Sequence, residues 1–240
     1  MNDEHISSAF DRDLEAIQAE ILKMGGLVEE AIMKATVSLE THDSELADEV
    51  CNADASIDLL EEQINQEAAR VIALRQPAAV DLRVILTVLK IAANLERIGD
   101  YAKNMAKRTR VLSQLTQING ATASLRRMAR EVERMLRDAL NAFIMRDSIM
   151  ANGVLVRDQD VDQMYNALFR EFLTFMMEDP RNITPCIQLH FIAKNMERMG
   201  DLVTNIAEQV VYLVTGTLPD DARPKMDLTS MELEVIPQSK

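Results

Sequence analysis

Glycine, proline and tryptophan are scarce or missing in this chain. It has 7 glycines, 6 prolines and no tryptophan among 240 residues, and only 4% of its residues are aromatic. Glycine and proline together make up roughly 12% of an average protein, and the many turns of β-sandwiches and β-barrels draw on both. The shortage therefore excludes those folds. The other residues are rich in strong helix formers such as Ala, Leu, Met and Glu, which predicts an all-α protein.

Positive charge is also in short supply. The chain has 39 Asp and Glu against 26 Lys and Arg, which gives a formal net charge of −13. Because binding to nucleic acid depends largely on neutralising phosphates, we expect no nucleic-acid partner. An anionic membrane surface is a poor partner for the same reason. Metal cations and basic protein surfaces suit this charge better.

Long apolar runs and leader sequences are not visible either. The most apolar run, 84–95, contains Lys90 and is far shorter than the ~20 residues that a membrane span needs. The N-terminus is acidic, unlike that of a secretory signal. Cys51 and Cys186 form neither a CxxC motif nor a zinc-binding spacing. We therefore expect a cytoplasmic protein, without direct membrane insertion, whose cysteines are reduced and buried.

The few helix breakers divide the chain into long segments. Asp43-Ser44 and Asp147-Ser148 offer N-caps, whereas Pro77, Asn119-Gly120 and Asp179-Pro180 interrupt helical periodicity. Such long helices with short connections pack as antiparallel neighbours. The predicted helices are 6–42, 44–75, 79–118, 121–146, 148–178 and 184–215.

Two blocks of sequence recur in the same order, which indicates an internal duplication. Residues 91–106 match residues 192–207 at nine of sixteen positions, and residues 43–58 match residues 147–162 at six of sixteen. The chain is therefore predicted to be two tandem repeats of an antiparallel three-helix bundle, resembling spectrin repeats. The predicted units are a first bundle at 1–119, a second bundle at 120–216 and a poorly ordered C-terminal tail at 217–240.

Several acidic residues are identical at equivalent positions of the two repeats, whereas several apolar residues differ between them. Each unit has two pairs of acids spaced i, i+4, which place like charges on one helix face and repel each other unless a cation lies between them. Counting outward from Pro77 and Pro180 puts the four acids of each unit at one level on two paired helices. The first quartet is Asp54, Asp58, Glu96 and Asp100; the second quartet is Asp158, Asp162, Glu197 and Asp201.

These two quartets are the candidate metal ligands. Several of the acids follow a residue of the apolar seam by one position, so we expect them at the rim of each bundle. Oxygen donors favour hard cations, and the candidate ions are iron, manganese, magnesium, zinc and calcium. Gly99 and Gly200 lie inside the quartets, which indicates close approach of a neighbouring backbone or of a ligand. The possible accessory ligands, from their height along the helices, are Glu29, Glu133, Asn104 and Asn205.

Other interpretations stay open at this point. Surface acids often serve only solubility, so the quartets can also be read as solvated faces of a purely structural helical bundle. No Ser/His/Asp or Cys/His arrangement, phosphate loop or Glu-x-x-His motif is visible. We therefore expect no catalytic residues, no organic cofactor and no enzyme activity. A metal-dependent phosphohydrolase that uses the quartets is the enzymatic alternative.

Four short blocks resemble the PhoU family of bacterial phosphate-signalling proteins. They are residues 24–29, 77–83, 95–100 and 196–201, and the likeness extends from about residue 6 to residue 216. The resemblance implies two tandem three-helix bundles that associate as homodimers or higher oligomers. It also implies E(D)xxxD metal motifs, which fall on all eight acids of the two quartets. One departure is that the segment 81–83 has no counterpart after Pro180.

The resemblance also implies a regulatory function. PhoU-like proteins are cytoplasmic negative regulators of the phosphate-starvation response and take part in phosphate homeostasis. They are thought to connect the ATPase subunit PstB of the high-affinity phosphate ABC transporter to the sensor kinase PhoR. The expected partners of this chain are therefore PstB and PhoR, which would recruit it to the inner face of the membrane.

Overall fold

Six long α-helices make up the computed structural model, which describes residues 2–115, 118 and 120–219. A single 3-10 turn, Pro180–Asn182, precedes the last helix, and the described residues contain no β-strand. None of these helices is both long and apolar enough to cross a bilayer. The helices are α1 (Asn2–Thr41), α2 (Ser44–Arg75), α3 (Val80–Leu112), α4 (Ala121–Met145), α5 (Ser148–Glu178) and α6 (Ile183–Thr215). The all-α prediction is confirmed.

The helix boundaries follow local chemistry that the sequence displays. The Asp43 carboxylate accepts hydrogen bonds from the backbone N–H groups of Glu45 and Leu46 at 2.9 and 3.0 Å, and Asp147 caps α5 in the same way. Both predicted N-caps are confirmed. The third helix is shorter than predicted and ends at Leu112, before the predicted end at residue 118. The predicted tail, from residue 220 onward, lies outside the described residues.

Each bundle encloses an apolar seam. The seam of α2 includes Val50, Ile57 and Ile64, which are all buried against α1 and α3. Burying such side chains contributes about 1.5–3 kcal/mol each, so packing rather than helix propensity holds the bundles together. Both cysteines are free thiols; Cys186 is buried in this core, whereas Cys51 is only half-buried.

The two bundles pack through equivalent helices, α1 on α4 and α3 on α6. Both pairs are antiparallel, because the residue numbers of the contacts rise along one helix while they fall along the other. These contacts are Glu29–Arg137 and Glu40–Arg126 between α1 and α4, and Tyr101–Arg198 and Arg108–Gln188 between α3 and α6. The repeats are therefore related by an approximate twofold axis, and we call the α3–α6 contact the bundle interface.

Two neighbouring glycines of α1 face different surroundings. A Cβ atom at Gly25 would clash with the Cδ1 atom of Leu140 on α4, whereas a Cβ at Gly26 would meet nothing within 4 Å. Leu140 is itself buried, so it cannot turn away into solvent. Gly25 therefore allows the close approach of α1 and α4.

We expect Gly26→Ala to stabilise the protein by about 0.5–1 kcal/mol, because alanine is the better helix former. Gly25→Ala gains the same propensity but overpacks the contact with Leu140, which typically costs about 1–3 kcal/mol. Urea unfolding of the two variants should place Gly25→Ala below Gly26→Ala in stability. Equal stabilities would contradict the close contact between α1 and α4.

Candidate functional site: two carboxylate quartets

The first quartet lies where α2 and α3 run side by side. The Lys103 ammonium pairs with Asp54 on α2 and lies 3.5 Å from the Asp100 carboxylate on its own helix. A Cβ atom at Gly99 would lie 3.0 Å from the Cδ1 atom of Ile57. Acids of both helices thus stand at one level, as the count from Pro77 predicts.

The second quartet repeats this arrangement between α5 and α6. A Cβ atom at Gly200 would lie 3.2 Å from an Asp158 carboxylate oxygen and 3.3 Å from the Cγ1 atom of Val161. The two glycines of the acidic motifs therefore have one shared role. They let α3 and α6 approach the side chains of the preceding helix, and those side chains fill the space beside the missing Cβ.

Burial corrects the prediction that the acids lie at the rim. Asp54, Asp162 and Glu197 are only 4%, 8% and 6% exposed. Ala53 is exposed, so Asp54, and not Ala53, takes the seam position between Val50 and Ile57. Both choices fit a spacing of three and four residues. Glu197 is covered because α6 packs against α3, α4 and α5.

The other five acids lie closer to solvent. Asp58 is exposed, as predicted for a rim position, and the remaining four are half-buried. These four are Glu96, Asp100, Asp158 and Asp201. Each quartet therefore extends from the bundle core to the surface, so that solvent reaches one side of it.

Negative charges repel one another in the first quartet. Burial, followed by the charges of Asp100 and Asp58, raises the pKa of Glu96. Burial and the neighbouring Asp54 likewise raise the pKa of Asp58. The charge of Glu61, one turn beyond Asp58, also raises the pKa values of Glu96 and Asp58. Glu61 was not among the predicted site residues. A raised carboxyl pKa means that the folded site disfavours the charge it carries at neutral pH.

A lysine contacts each quartet, and the sequence analysis missed both lysines. A hydrogen bond to Asp54 is the main cause that raises the pKa of Lys103. In the second unit the Lys194 ammonium lies 2.9 Å from the Glu197 carboxylate and 4.8 Å from the centre of the Tyr165 ring. The residue equivalent to Lys103 in the second unit is Thr204, and the residue equivalent to Lys194 in the first unit is Ala93. Their spacing of three residues from a quartet acid on the same helix is the signal that could have found them.

Two predicted accessory ligands meet at another place in the fold. One guanidinium nitrogen of Arg137 lies 2.8 Å from a Glu29 oxygen and 3.2 Å from a Glu133 oxygen. Both glutamates therefore take part in an ion-pair network where α1 packs on α4. Asn104 lines a cavity at the bundle interface, and Asn205 is half-buried on α6. Metal ligation by these four residues stays a prediction.

The donor set suits a hard cation, although the present arrangement is not that of a closed metal site. All eight quartet side chains offer carboxylate oxygens, which Mg²⁺, Ca²⁺ and Mn²⁺ prefer. Within the described part of the chain, no three His, Cys, Asp or Glu side chains already converge as metal ligands. A cation in the first quartet would replace the Lys103 ammonium as the partner of Asp54 and Asp100.

Comparison with known proteins gives a consistent result over both repeats. A family model described as PhoU domain matches residues 21–109 and 125–210. A "Phosphate-specific transport system accessory protein PhoU homolog" of Caulobacter vibrioides is 43% identical over 227 residues, covering 95% of this chain and 99% of that protein. The protein of Rhizobium meliloti with the same description is 44% identical over 230 residues, covering 96% and 97%.

A solved structure shares the fold as well. The crystal structure of PhoU from Pseudomonas aeruginosa matches with a TM-score of 0.84 at 39% identity, covering 87% of this chain and 100% of that one. The two-bundle architecture and the order of the six helices are thus those of a known protein fold.

The raised pKa of Glu96 makes stability depend on pH. Because the folded state binds the Glu96 proton more tightly than the unfolded state, stability falls as pH rises from the ordinary carboxyl pKa through the raised one. In chelator, we therefore expect Glu96→Gln to be more stable than the unchanged protein at pH 7. The difference should shrink as pH falls toward 4, because protonation removes the Glu96 charge and with it the repulsion.

Urea unfolding between pH 4 and 7 measures this difference. Glu62→Gln, a change at an exposed glutamate of α2, is the matched control and should show no such trend. A Glu96→Gln protein that is less stable at pH 7 in chelator would contradict the repulsion within the first quartet.

Proposed function

The chain belongs to the PhoU family, and from this membership we propose that it is an adaptor that negatively regulates the phosphate-starvation response. In this role it links the ATPase subunit PstB of the phosphate ABC transporter to the sensor kinase PhoR. It acts in the cytoplasm as a homodimer or higher oligomer, and its partners recruit it to the membrane face.

The observation that carries the proposal is the match of both repeats to the PhoU domain. The description of the relatives as phosphate-specific transport system accessory proteins supports a role beside the transporter rather than in transport itself. The net charge of −13 supports docking on basic patches of partner proteins, because complementary charge speeds and orients association.

We also propose that the two quartets bind hard metal cations. In the first quartet, Asp58, Glu96 and Asp100 would supply the oxygens nearest to solvent, and Asp54 the buried one. A divalent cation would neutralise the carboxylates whose mutual repulsion raises the pKa values of Asp58 and Glu96. The second quartet offers the same set of oxygen donors with a different lysine beside it.

Binding of the full-length protein to PstB and to the cytoplasmic part of PhoR is the direct test of the adaptor role. Affinity capture of each purified partner should succeed and should weaken as salt rises, since the proposed contacts are between opposite charges. Failure to bind either partner, with and without added Mn²⁺ or Mg²⁺, would contradict the adaptor function. Metal-dependent turnover of phosphate esters would instead favour the hydrolase.

Metal content tests the second proposal. Protein purified without chelator should contain metal by mass spectrometry, and the Asp58→Asn/Asp100→Asn double variant should lose the share held by the first quartet. Asp48→Asn removes an exposed acid of α2 outside the quartet and should keep the full content. Metal-free protein that binds no added cation would show that the quartets are solvated faces.

A further inference from the structure

A cavity of about 340 Å³ opens at the bundle interface, on one side of the approximate twofold axis. Its size falls within the roughly 300–1,000 Å³ of small-molecule sites. Residues of both α3 and α6 line it, so it exists only because the two bundles pack together. Its nitrogen-bearing side chains are Asn104, Arg108, His190, Lys194, Asn195 and Arg198.

Arg108 and Arg198 give this cavity positive charge, and no carboxylate among the described residues forms an ion pair with either of them. The Arg108 guanidinium donates a hydrogen bond to the Gln188 amide oxygen at 2.9 Å and lies 4.2 Å from the centre of the Phe191 ring. Burial lowers the pKa of Arg108, and no carboxylate in the part of the chain that the structure describes forms an ion pair with it. The guanidinium carbon of Arg198 lies over the Tyr101 ring, 6.0 Å from the ring centre. Lys194 is already paired with Glu197, so the arginines supply the uncompensated charge.

A buried amide also faces this cavity. Asn195 is 9% exposed and lines the cavity wall. Its side chain makes no hydrogen bond with any residue in the part of the chain that the structure describes. A bound ligand with acceptor oxygens would accept hydrogen bonds from the side-chain NH2 group of Asn195.

Arg108, His190 and Lys194 have no basic counterpart on the other side of the approximate twofold axis, where Lys90 stands as the counterpart of Phe191. At the positions that the approximate twofold axis relates to these residues, Gln209 replaces Arg108, Ala93 replaces Lys194 and Leu89 replaces His190. Packing of the bundle interface thus does not require cations at these points. Arg97 is the counterpart of Arg198 and is exposed.

We propose that this cavity binds a phosphate group, carried either by inorganic phosphate or by a small phosphorylated metabolite. Guanidinium groups bind phosphate oxygens in pairs, and Asn104 and Asn195 add neutral donors. A tetrahedral dianion uses donors that arrive from both helices better than a planar carboxylate does. The site goes beyond the proposed adaptor function, which depends on partner binding and would stand without it.

Calorimetric titration of the full-length protein in phosphate-free buffer tests this site. The two probes are inorganic phosphate and adenosine 5′-monophosphate. We expect saturable binding that weakens at least about tenfold in Arg108→Gln and in Arg198→Gln, since each loses a charge-assisted hydrogen bond. Arg97→Gln, the counterpart of Arg198→Gln in the first unit, should bind within about twofold of the unchanged protein.

The outcomes separate the sources of the phosphate group. Tighter binding of inorganic phosphate than of the nucleotide identifies the free ion as the ligand, and the reverse identifies a phosphorylated metabolite. The site is disproved if neither probe binds, or if Arg97→Gln weakens binding as much as Arg198→Gln. Binding that disappears after dialysis against chelator would place phosphate on a metal of the quartets and would also disprove it. Because Arg198 is exposed, its variant keeps the test valid if Arg108→Gln fails to fold.

Discussion

The need to compensate clustered carboxylates is the constraint on which the two proposed metal sites of this protein depend. Each bundle pairs two helices so closely that a glycine is needed at the contact, at Gly99 and at Gly200. Because the helices pack so closely, acids of both helices lie near one another, and Asp54 and Glu197 are buried. Such charges are tolerated only beside an opposite charge. Lys103 and Lys194 supply it here, and a metal cation is the proposed alternative.

Internal duplication lets the chain vary this arrangement. Both units keep the four acids and the glycine, yet their lysines come from unrelated positions, Lys103 on α3 and Lys194 on α6. The bundle interface diverges further, because Arg108 and Lys194 of the cavity have Gln209 and Ala93 as their repeat counterparts. The acids that both units share and the cations that differ between them fit the two proposed roles, binding of a metal and binding of an anion.

The sequence predicts the parts of this structure that depend on neighbouring residues. The Asp43 and Asp147 caps and the helix pairing about Pro77 follow from short-range chemistry and from counting along a hairpin. The seam of α2 could not be assigned in the same way, because Ala53 and Asp54 fit the apolar spacing equally well. Only the packed helices show that Asp54 is the buried one.

Contacts between distant segments account for what the sequence could not predict. The pairing of Lys103 with Asp54 requires a long side chain to reach across to another helix. The cavity requires α3 and α6 to meet in antiparallel register, which no local pattern specifies. Arg108 and Arg198, about ninety residues apart, reveal their shared surroundings only once the bundles pack.

The unfolding free energy of Lys103→Met, measured in chelator and again with Mn²⁺, tests the charge compensation most directly. Methionine keeps the apolar stem and removes the charge, which leaves the buried Asp54 without its partner and should cost about 1–3 kcal/mol in chelator. Mn²⁺ should then stabilise Lys103→Met more than the unchanged protein, because the cation takes the place of the ammonium. Lys107→Met, at an exposed position one turn further along α3, should show neither effect. Equal stability of Lys103→Met and the unchanged protein in chelator, with equal gains from Mn²⁺, would contradict the claim.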